Sequence, residues 1–208
     1  MFETQFTLPD DFDGNVRLFP LPNLVLFPGN IQPLHVFEDR YVEMFEDSVN
    51  SDCLIAMATL MPGFETEYFA RPKLADTVCI GRIVDHQKRD DGTYDLILLG
   101  LQRAAIVEEF APERSYRTAK VELVSDKEET PAEQGPVAKR LFDRFKSITP
   151  EAEKILDAFE GGELTMSHFV DIMAFSYPFQ LNVELQLLQE ISAIRRAELM
   201  LVALPESA

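Results

Sequence analysis

The 208-residue chain contains 46% hydrophobic and 26% charged residues, a balance typical of a globular protein and unlike that of a disordered one. Its 36 acidic and 19 basic residues give a formal net charge of −17. This charge disfavours nucleic-acid binding, which depends on basic surfaces that displace condensed counterions, and it also disfavours binding to an anionic membrane surface.

The N-terminal residues contain neither the basic segment nor the apolar run of a signal peptide, so a cytoplasmic protein is expected. The longest uncharged stretch, 18–37, holds four prolines, each of which costs about 3 kcal/mol inside a helix. It is therefore not expected to span a membrane.

Cys53 and Cys79 lie in apolar segments and are expected to be buried, reduced thiols. Whether they form a disulfide is left open by the sequence.

The first 126 residues predict a β-rich domain, because short apolar runs alternate with Gly, Pro and Asp-Gly. VRLFPL and LVLF are predicted strands, with a turn at Pro28-Gly29. The stretch from Asp39 to Val49 predicts a helix with Tyr41 on its apolar stripe. CLIAMATLM, which follows it, predicts a buried strand.

A long hairpin is predicted between residues 80 and 107, with Asp91-Gly92 in a type I′ turn at its tip. Gly100 inside the second strand indicates a bulge or a barrel corner. A last strand follows, one face of which carries Ala119, Val121 and Leu123. Together these elements predict a small, partly closed β-barrel, since closure removes exposed sheet edges.

Residues 127–135 predict a polar connector, and 136–208 predict a helical bundle, which makes the fold class α+β. The first helix of the bundle is expected to bury Val137, Leu141, Phe145 and Ile148. Helix boundaries are expected at Thr149-Pro150, Gly161-Gly162, Thr165 and Tyr177-Pro178. A final long helix capped by Asn182 is expected to bury Leu188, Ile191, Ile194, Leu201 and Leu204.

Sequence motifs for catalysis are missing from the chain. It contains no G-x-x-x-x-G-K-[ST], G-x-S-x-G, H-E-x-x-H or C-x-x-C, the patterns that mark P-loop ATPases, α/β-hydrolases and common zinc sites. Its three histidines are far apart in sequence, and the acidic pairs Asp90-Asp91 and Glu128-Glu129 fall in a predicted turn and in the connector, where solvated residues are expected. The sequence therefore predicts no enzyme activity, no metal and no cofactor.

The loop from Met61 to Lys73 is the most distinctive segment outside the predicted core. Its aromatic residues lie beside two basic ones, and exposed aromatics with arginine are enriched at binding hot spots. Two explanations are open: the loop recognises a protein partner, or its rings cap one end of the barrel. The candidate protein-binding residues are Phe64, Tyr68, Phe69 and Arg71.

Three segments carry a family pattern. The first, Leu18 to Met44, contains Phe27-Pro28-Gly29, Pro33-Leu34, Phe37-Glu38 and Arg40-Tyr41; the second, Ile80 to Ile106, contains Gly81, Asp91-Gly92, Gly100 and Arg103. The third comprises the closing helices, with their proline break. These segments resemble the N-terminal, substrate-binding domain family of Lon protease, in its stand-alone bacterial form.

The resemblance implies a PUA-like β-barrel followed by a C-terminal helical bundle. It implies a non-catalytic module that binds unfolded or tagged protein segments, as an adaptor or quality-control factor beside a separate protease or chaperone. The ATPase motifs and Ser-Lys dyad of Lon are not expected here. RNA binding is the alternative, because PUA-like barrels include RNA readers. The oligomeric state is left open.

The motif residues are expected to be mainly structural. Pro28-Gly29 and Asp91-Gly92 would set turns, and the barrel would be filled in part by Phe37, Tyr41 and Met44. An internal ion pair is expected among Glu38, Arg40 and Arg103, with ligand contact by these residues as the alternative.

Overall fold

A computed structural model of the protein describes residues 7–64, 71–146 and 152–205. The chain divides between Val124 and Ser125 into two compact units. In unit 1 the strands are β1 (Asn15–Leu21), β2 (Ile31–Val36), β3 (Leu54–Thr59), β4 (Thr77–Lys88), β5 (Tyr94–Glu109) and β6 (Arg117–Leu123), and helix α1 (Asp39–Val49) follows β2.

The sheet of unit 1 closes on itself over most of its strands. The strand order is β2-β5-β4-β3-β1-β6, and β6 also pairs with β5, so that five strands form a ring and β2 lies outside it on the edge of β5. The β1–β3 pair is parallel and the other pairs are antiparallel. The predicted α+β class and partly closed barrel are thereby confirmed.

The barrel interior is filled by side chains that alternate along the ring strands, as the period of two requires. Its buried cluster includes Leu18, Leu54, Ala56, Ala58, Ile80, Ala104, Ala119 and Val121. All six residues of β3 are buried, because helix α1 contacts this strand as well. Burial on both faces explains why β3 has a continuous apolar run in the sequence.

Hydrogen bonds at Gly100 connect the second segment of the family pattern to the Pro28-Gly29 turn of the first. The Gly29 N–H donates to Gly100 O at 2.8 Å, and the Gly100 N–H donates to Asn30 O at 2.9 Å. A Cβ at Gly100 would lie 2.3 Å from Phe27 O, so only glycine fits beside this turn. The register also shifts here, since Ile80 pairs with Gln102 and Gly81 with Gly100. The predicted bulge is confirmed.

The tip of the long hairpin differs from the prediction in its turn type. A type I′ turn requires positive φ at both central residues, but in the Asp91-Gly92 pair only Gly92 has positive φ, +88°. The Gly92 N–H donates to Arg89 O, and the Arg89 N–H donates to Thr93 O. This is a type I turn followed by a left-handed glycine, and the Asp91 carboxylate stabilises it by accepting from the Thr93 N–H and hydroxyl.

The predicted strand LVLF is wrong. Residues 24–27 are not in a strand, although Val25, Leu26 and Phe27 are buried. They are held between two turns, one with positive φ at Asn23 and one at Gly29, which leave too short a segment to form a ladder. The strand that pairs with β5 is β2, with the sequence IQPLHV. The prediction missed it because glutamine, proline and histidine interrupt its apolar pattern.

Unit 2 contains, among its described residues, the helices α2 (Pro131–Phe145), α3 (Ala152–Glu160), α4 (Met166–Ser176), α5 (Leu181–Gln189) and α6 (Ala193–Ala203). Helix α2 begins inside the predicted connector, because Glu133 accepts from the Thr130 N–H and hydroxyl and proline occupies the first helical position. The expected burial of Val137, Leu141 and Phe145 is confirmed.

Three of the expected helix boundaries in the bundle are confirmed: the end of α3, the start of α4 and the end of α4. Gly162 closes α3 with φ +78°, Thr165 caps α4 by accepting from the His168 N–H, and α4 ends at Ser176, before Tyr177-Pro178. The expected helix start at Thr149-Pro150 and the burial of Ile148 lie outside the described residues.

The expected final long helix is wrong, because it is divided into α5 and α6. Ser192 caps α6 by accepting from the Arg195 N–H, and the Ser192 hydroxyl itself donates to Glu129. The Glu129 carboxylate also accepts from the Ile194 N–H at 3.1 Å, and it thus stabilises the positive end of the helix dipole. Ile191, which was expected to face inward, lies in this break and is 43% exposed.

Within the described residues, no helix has the length and apolar character needed to cross a membrane.

Candidate protein-binding surface

The outer side of the edge strand β2 is apolar and exposed. Ile31 is 55% exposed and Phe37, which follows the strand, is 63% exposed, with Pro33 and His35 also exposed between them. Leu34 and Val36 occupy the alternate positions and are more buried. Because side chains alternate along a strand, Leu34 and Val36 point into the protein, whereas the row from Ile31 to Phe37 points into solvent.

The neighbouring strands extend this row into a shallow surface. Pro33 is paired with Ile97 and His35 with Asp95 on β5, and these residues are paired in turn with Asp85 and Gln87 on β4. Directly paired residues have their side chains on the same side of a sheet. A depression of about 470 Å³ lies along this part of the three strands. We call the surface formed by Ile31, Pro33, His35, Phe37 and Ile97 the β2 face.

Polar contacts hold the side chains of the β2 face in place. His35 Nδ1 lies 2.8 Å from Asp95 Oδ1, and Arg89 Nε donates to Asp95 Oδ2 at 2.7 Å. The hydrogen bonds from His35 and Arg89 hold the pKa of Asp95 below its usual value. The rings of His35 and Phe37 are stacked with centroids 5.8 Å apart. The exposed Phe37 ring is therefore supported on one side by His35.

The expectation that Phe37 fills the barrel is wrong. Val36 takes the buried position at the end of β2 and is 1% exposed, so the alternation turns the next side chain outward. Tyr41 and Met44 are buried as expected. The Tyr41 ring packs on Phe19 with centroids 4.7 Å apart. The family pattern therefore includes one large aromatic side chain that is not needed in the core.

The expected ion pair is present for two of its three residues. Arg40 donates to Glu38 Oε2 from Nε at 3.1 Å and from Nη2 at 2.8 Å, and its guanidinium lies 4.6 Å from the centre of the Tyr41 ring. Arg103 is buried on β5 opposite Cys79. Its participation in this pair stays a prediction.

The loop from Met61 to Lys73 is described only at its two ends. Phe64 is half-buried and packs against the barrel core, and Arg71 Nη2 donates to Glu109 Oε2 at 3.0 Å and to Phe110 O at 3.1 Å. Tyr68 and Phe69 lie outside the described residues. At Phe64 and Arg71 the contacts fit a cap on the barrel, and a recognition role for the loop stays a prediction.

Glu109 is the centre of the contacts at this end of the barrel. Arg117 Nε donates to Glu109 Oε2 at 2.8 Å, and Arg117 Nη1 donates to Pro72 O at 2.8 Å. Burial opposes the charge on Glu109, but hydrogen bonds from Arg117 and Arg71 outweigh it and hold the pKa of Glu109 below its usual value. Three of the charged side chains that line the adjoining depression of about 500 Å³, those of Arg71, Glu109 and Arg117, are thus already paired with one another.

A wider groove of about 1050 Å³ lies in unit 2 along α2 and α6. Its exposed apolar residue is Val202, at 86% exposure, and its walls carry charged side chains. Glu198 pairs with Arg195 at 3.3 Å, and Asp143 pairs with Lys139 at 3.5 Å. None of the described residues that line this groove is aromatic, so the β2 face is the better candidate for binding protein segments.

The described residues include no group of three or more His, Cys, Asp or Glu side chains arranged to hold a metal ion. Cys53 and Cys79 are both free thiols, and Cys79 is buried.

The barrel, the helices after it and the sequence pattern define one class of protein. Residues 15–206 match the sequence profile of the ATP-dependent protease La (LON) substrate-binding domain. The chain therefore belongs to that family, and the resemblance seen in its three segments is confirmed.

Individual relatives show the same correspondence. The chain is 28% identical over 202 residues to Lon protease of Buchnera aphidicola, covering 92% of this chain and 25% of that protein. It is 27% identical to Lon protease 2 of Myxococcus xanthus, covering 92% of this chain and 24% of that protein. The chain thus spans about a quarter of the length of the curated relatives it matches, and the match is to their substrate-binding domain.

Solved structures match over nearly their full length. A Lon N-terminal domain protein from Xanthomonas campestris is 26% identical with a TM-score of 0.68, covering 92% of this chain and 99% of that one. The N-terminal domain of Mycobacterium avium complex Lon protease is 18% identical with a TM-score of 0.68, covering 90% and 96%. The second likeness is one of fold alone.

Proposed function

We propose that this domain binds extended, apolar segments of unfolded or tagged proteins on the β2 face. The observation that carries the proposal is the exposed row from Ile31 to Phe37 on a protein with a net charge of −17. Exposed apolar patches with polar surroundings are typical of interaction sites, and family membership in a substrate-binding domain supports the same function.

The spacing of the row favours an extended ligand. Side chains on one face of a strand repeat every two residues, or about 6.6 Å, which is also the repeat along one side of an extended peptide. Pro33 has no N–H to offer to an added strand, and proline on an edge strand opposes pairing with another chain. We therefore propose that recognition runs through side chains of the β2 face and not through addition of a strand to β2.

The area available indicates a modest affinity. Complete burial of a phenylalanine or isoleucine side chain is worth about 1.5–3 kcal/mol, and Phe37 and Ile31 are already partly covered. Each is therefore expected to contribute about 1–2 kcal/mol to binding. Such contributions suit a domain that holds a segment briefly and releases it.

The loop from Met61 to Lys73 is a second proposed contact surface. Phe64 and Arg71 already contact their own chain, so Tyr68 and Phe69 are the residues on which this part of the proposal depends. We further propose a non-catalytic role in the cytoplasm, as an adaptor or quality-control factor that works beside a protease or chaperone.

The test is fluorescence anisotropy with a labelled peptide of alternating apolar and glutamine residues. Ile31→Ala with Phe37→Ala is expected to weaken binding by about 30-fold or more, since about 1–2 kcal/mol is lost at each position. The matched control is Val107→Ala, because Val107 is 57% exposed on β5 outside the β2 face. Equal affinities of parent and double variant would refute the proposal.

A single-stranded RNA oligonucleotide belongs in the same assay at physiological ionic strength. The proposal predicts no binding of the RNA. Binding that weakens steeply with salt and is lost in the Phe37 variant would favour the RNA-reading alternative instead.

A further inference from the structure

The β2 face is bordered by acidic side chains at the hairpin tip. Asp85 lies on β4 beside Ile97, and Asp90 and Asp91 lie in the turn between β4 and β5. All three are exposed. Asp39 is also exposed and follows Phe37 at the start of α1. The apolar row therefore ends in a region rich in carboxylates.

The two basic side chains of the hairpin tip already contact other groups. Arg89 donates to Asp95. Lys88 lies 4.0 Å from Glu46 on helix α1 and 5.1 Å from the centre of the Tyr94 ring. In the described part of the chain, no basic side chain forms an ion pair with Asp85, Asp90 or Asp91. The carboxylates of Asp85, Asp90, Asp91 and Asp95 outnumber the basic side chains of this region, Lys88 and Arg89, so this end of the β2 face keeps a net negative charge.

The other end of the β2 face has a different character. Ile31 is paired with Leu99 on β5, and Leu99 with Arg82 on β4. Arg82 is half-buried and donates to the carbonyl oxygens of Thr7 and Asp52. The face thus has an acidic end near Phe37, whereas beyond its Ile31 end lies a basic residue whose guanidinium is bound to backbone carbonyl oxygens.

We infer that the β2 face selects apolar segments that carry lysine or arginine beside their apolar residues, and that it places this basic side at the hairpin tip. The inference rests on the proposed function, because it presumes that the face binds extended segments. Charges at the rim of a binding surface raise the association rate of oppositely charged partners and disfavour like-charged ones. At physiological salt, exposed charges more than about 8 Å apart are largely screened from each other. Phe37 adds a second attraction, since an exposed ring accepts a cation over its face.

The experiment compares three labelled peptides with one apolar core and different ends. The ends are two lysines, two glutamines or two glutamates, and dissociation constants are measured at about 50 and 300 mM salt. The lysine peptide is expected to bind about tenfold more tightly than the glutamate peptide at the lower salt, and this ratio is expected to fall at the higher salt.

Two double variants decide where the preference arises. Asp85→Asn with Asp90→Asn is expected to reduce the ratio to about threefold, since two of the local charges are removed. Glu108→Gln with Glu122→Gln changes the net charge equally at the opposite end of β5, about 30 Å away along the strand. It is expected to leave the ratio unchanged.

The outcomes separate the inference from the proposed function. If the glutamine peptide binds but the three peptides differ by less than twofold, the inference is overturned and the proposed function stands. If both double variants reduce the ratio equally, the preference comes from the net charge of the protein, and the inference is again overturned. If none of the peptides binds, the proposed function fails and the inference fails with it.

Discussion

Gly100→Ala is the substitution that tests the structural role of the family pattern most sharply. The added methyl group would lie 2.3 Å from Phe27 O and 3.2 Å from the Cys79 sulfur. The turn at Pro28-Gly29 must therefore move away by about 1 Å for an ordinary contact distance to be reached. Such a shift disrupts the two backbone hydrogen bonds between Gly100 and the turn.

The expected cost follows from these contacts. Two hydrogen bonds at about 1 kcal/mol each, with the strain of overpacking added, lower the free energy of unfolding of unit 1 by about 3–5 kcal/mol. For a protein of this size the melting temperature is expected to fall by about 10 °C. Thermal and urea unfolding followed by circular dichroism measure both quantities.

A control for the glycine-to-alanine change itself is available in helix α2. A Cβ at Gly135 meets nothing within 4 Å outside the adjacent residues. The helix preference of alanine, up to about 1 kcal/mol, is opposed by Pro136, whose ring disfavours the helical conformation of a preceding residue with a Cβ. Gly135→Ala is therefore expected to change stability by less than about 1 kcal/mol. A Gly100→Ala variant as stable as the parent would show that the turn does not pack on β5 as described.

Three further predictions concern charge and exposure. Because the folded-state pKa of Glu109 is lowered from 4.5, Glu109→Gln is expected to destabilise the protein by about 1–2 kcal/mol at pH 7. That difference should shrink as the pH falls from about 5 through the folded-state pKa; urea unfolding that shows the same difference at pH 7 and pH 3 would contradict the ion-pair assignment. Glu129→Gln, at the start of α6, is expected to cost about 1 kcal/mol in the same assay, and no loss would contradict the capping role. Phe37→Ala is expected to change the melting temperature by less than about 2 °C, whereas Phe45→Ala, at a 1% exposed position, should lower it by about 10 °C; a large loss for Phe37→Ala would place that ring in the core.

Local signals in the sequence predicted the elements that form from nearby residues. Helix α1 has the predicted bounds, Asp39–Val49, because its apolar stripe and its position after an extended segment are both local. The long hairpin and its bulge were predicted for the same reason, since a turn signal separates two apolar strands. The Thr165 cap was predicted because a hydroxyl at a helix start satisfies backbone N–H groups within three residues.

Elements that depend on distant contacts were not predicted. Strand β2 is held by β5, which is about 60 residues away in sequence, and nothing in IQPLHV compensates for its interrupted pattern. The break between α5 and α6 depends on Glu129, which contacts residues 192 and 194 across the unit. A sequence pattern within the helix contains no sign of such a partner.

The candidate surface was missed for a related reason. Phe37 belongs to a motif, and a large aromatic residue in a motif is usually assigned to the core. Its exposure follows from the phase of β2, in which Val36 is buried, and this phase is set by pairing with β5. The sequence points to the aromatic residues of the loop from Met61 to Lys73 as binding residues because their position outside the predicted strands can be seen without knowledge of any strand register.

The location of bound segments is the most direct test of the central claim. Amide hydrogen exchange, read by mass spectrometry with and without a saturating apolar peptide, measures which backbone segments the ligand protects. Added protection is expected in residues 31–37 and in the facing part of β5, 94–97. Protection confined to unit 2, or to the loop of residues 61–73, would contradict the assignment of the β2 face as the binding surface.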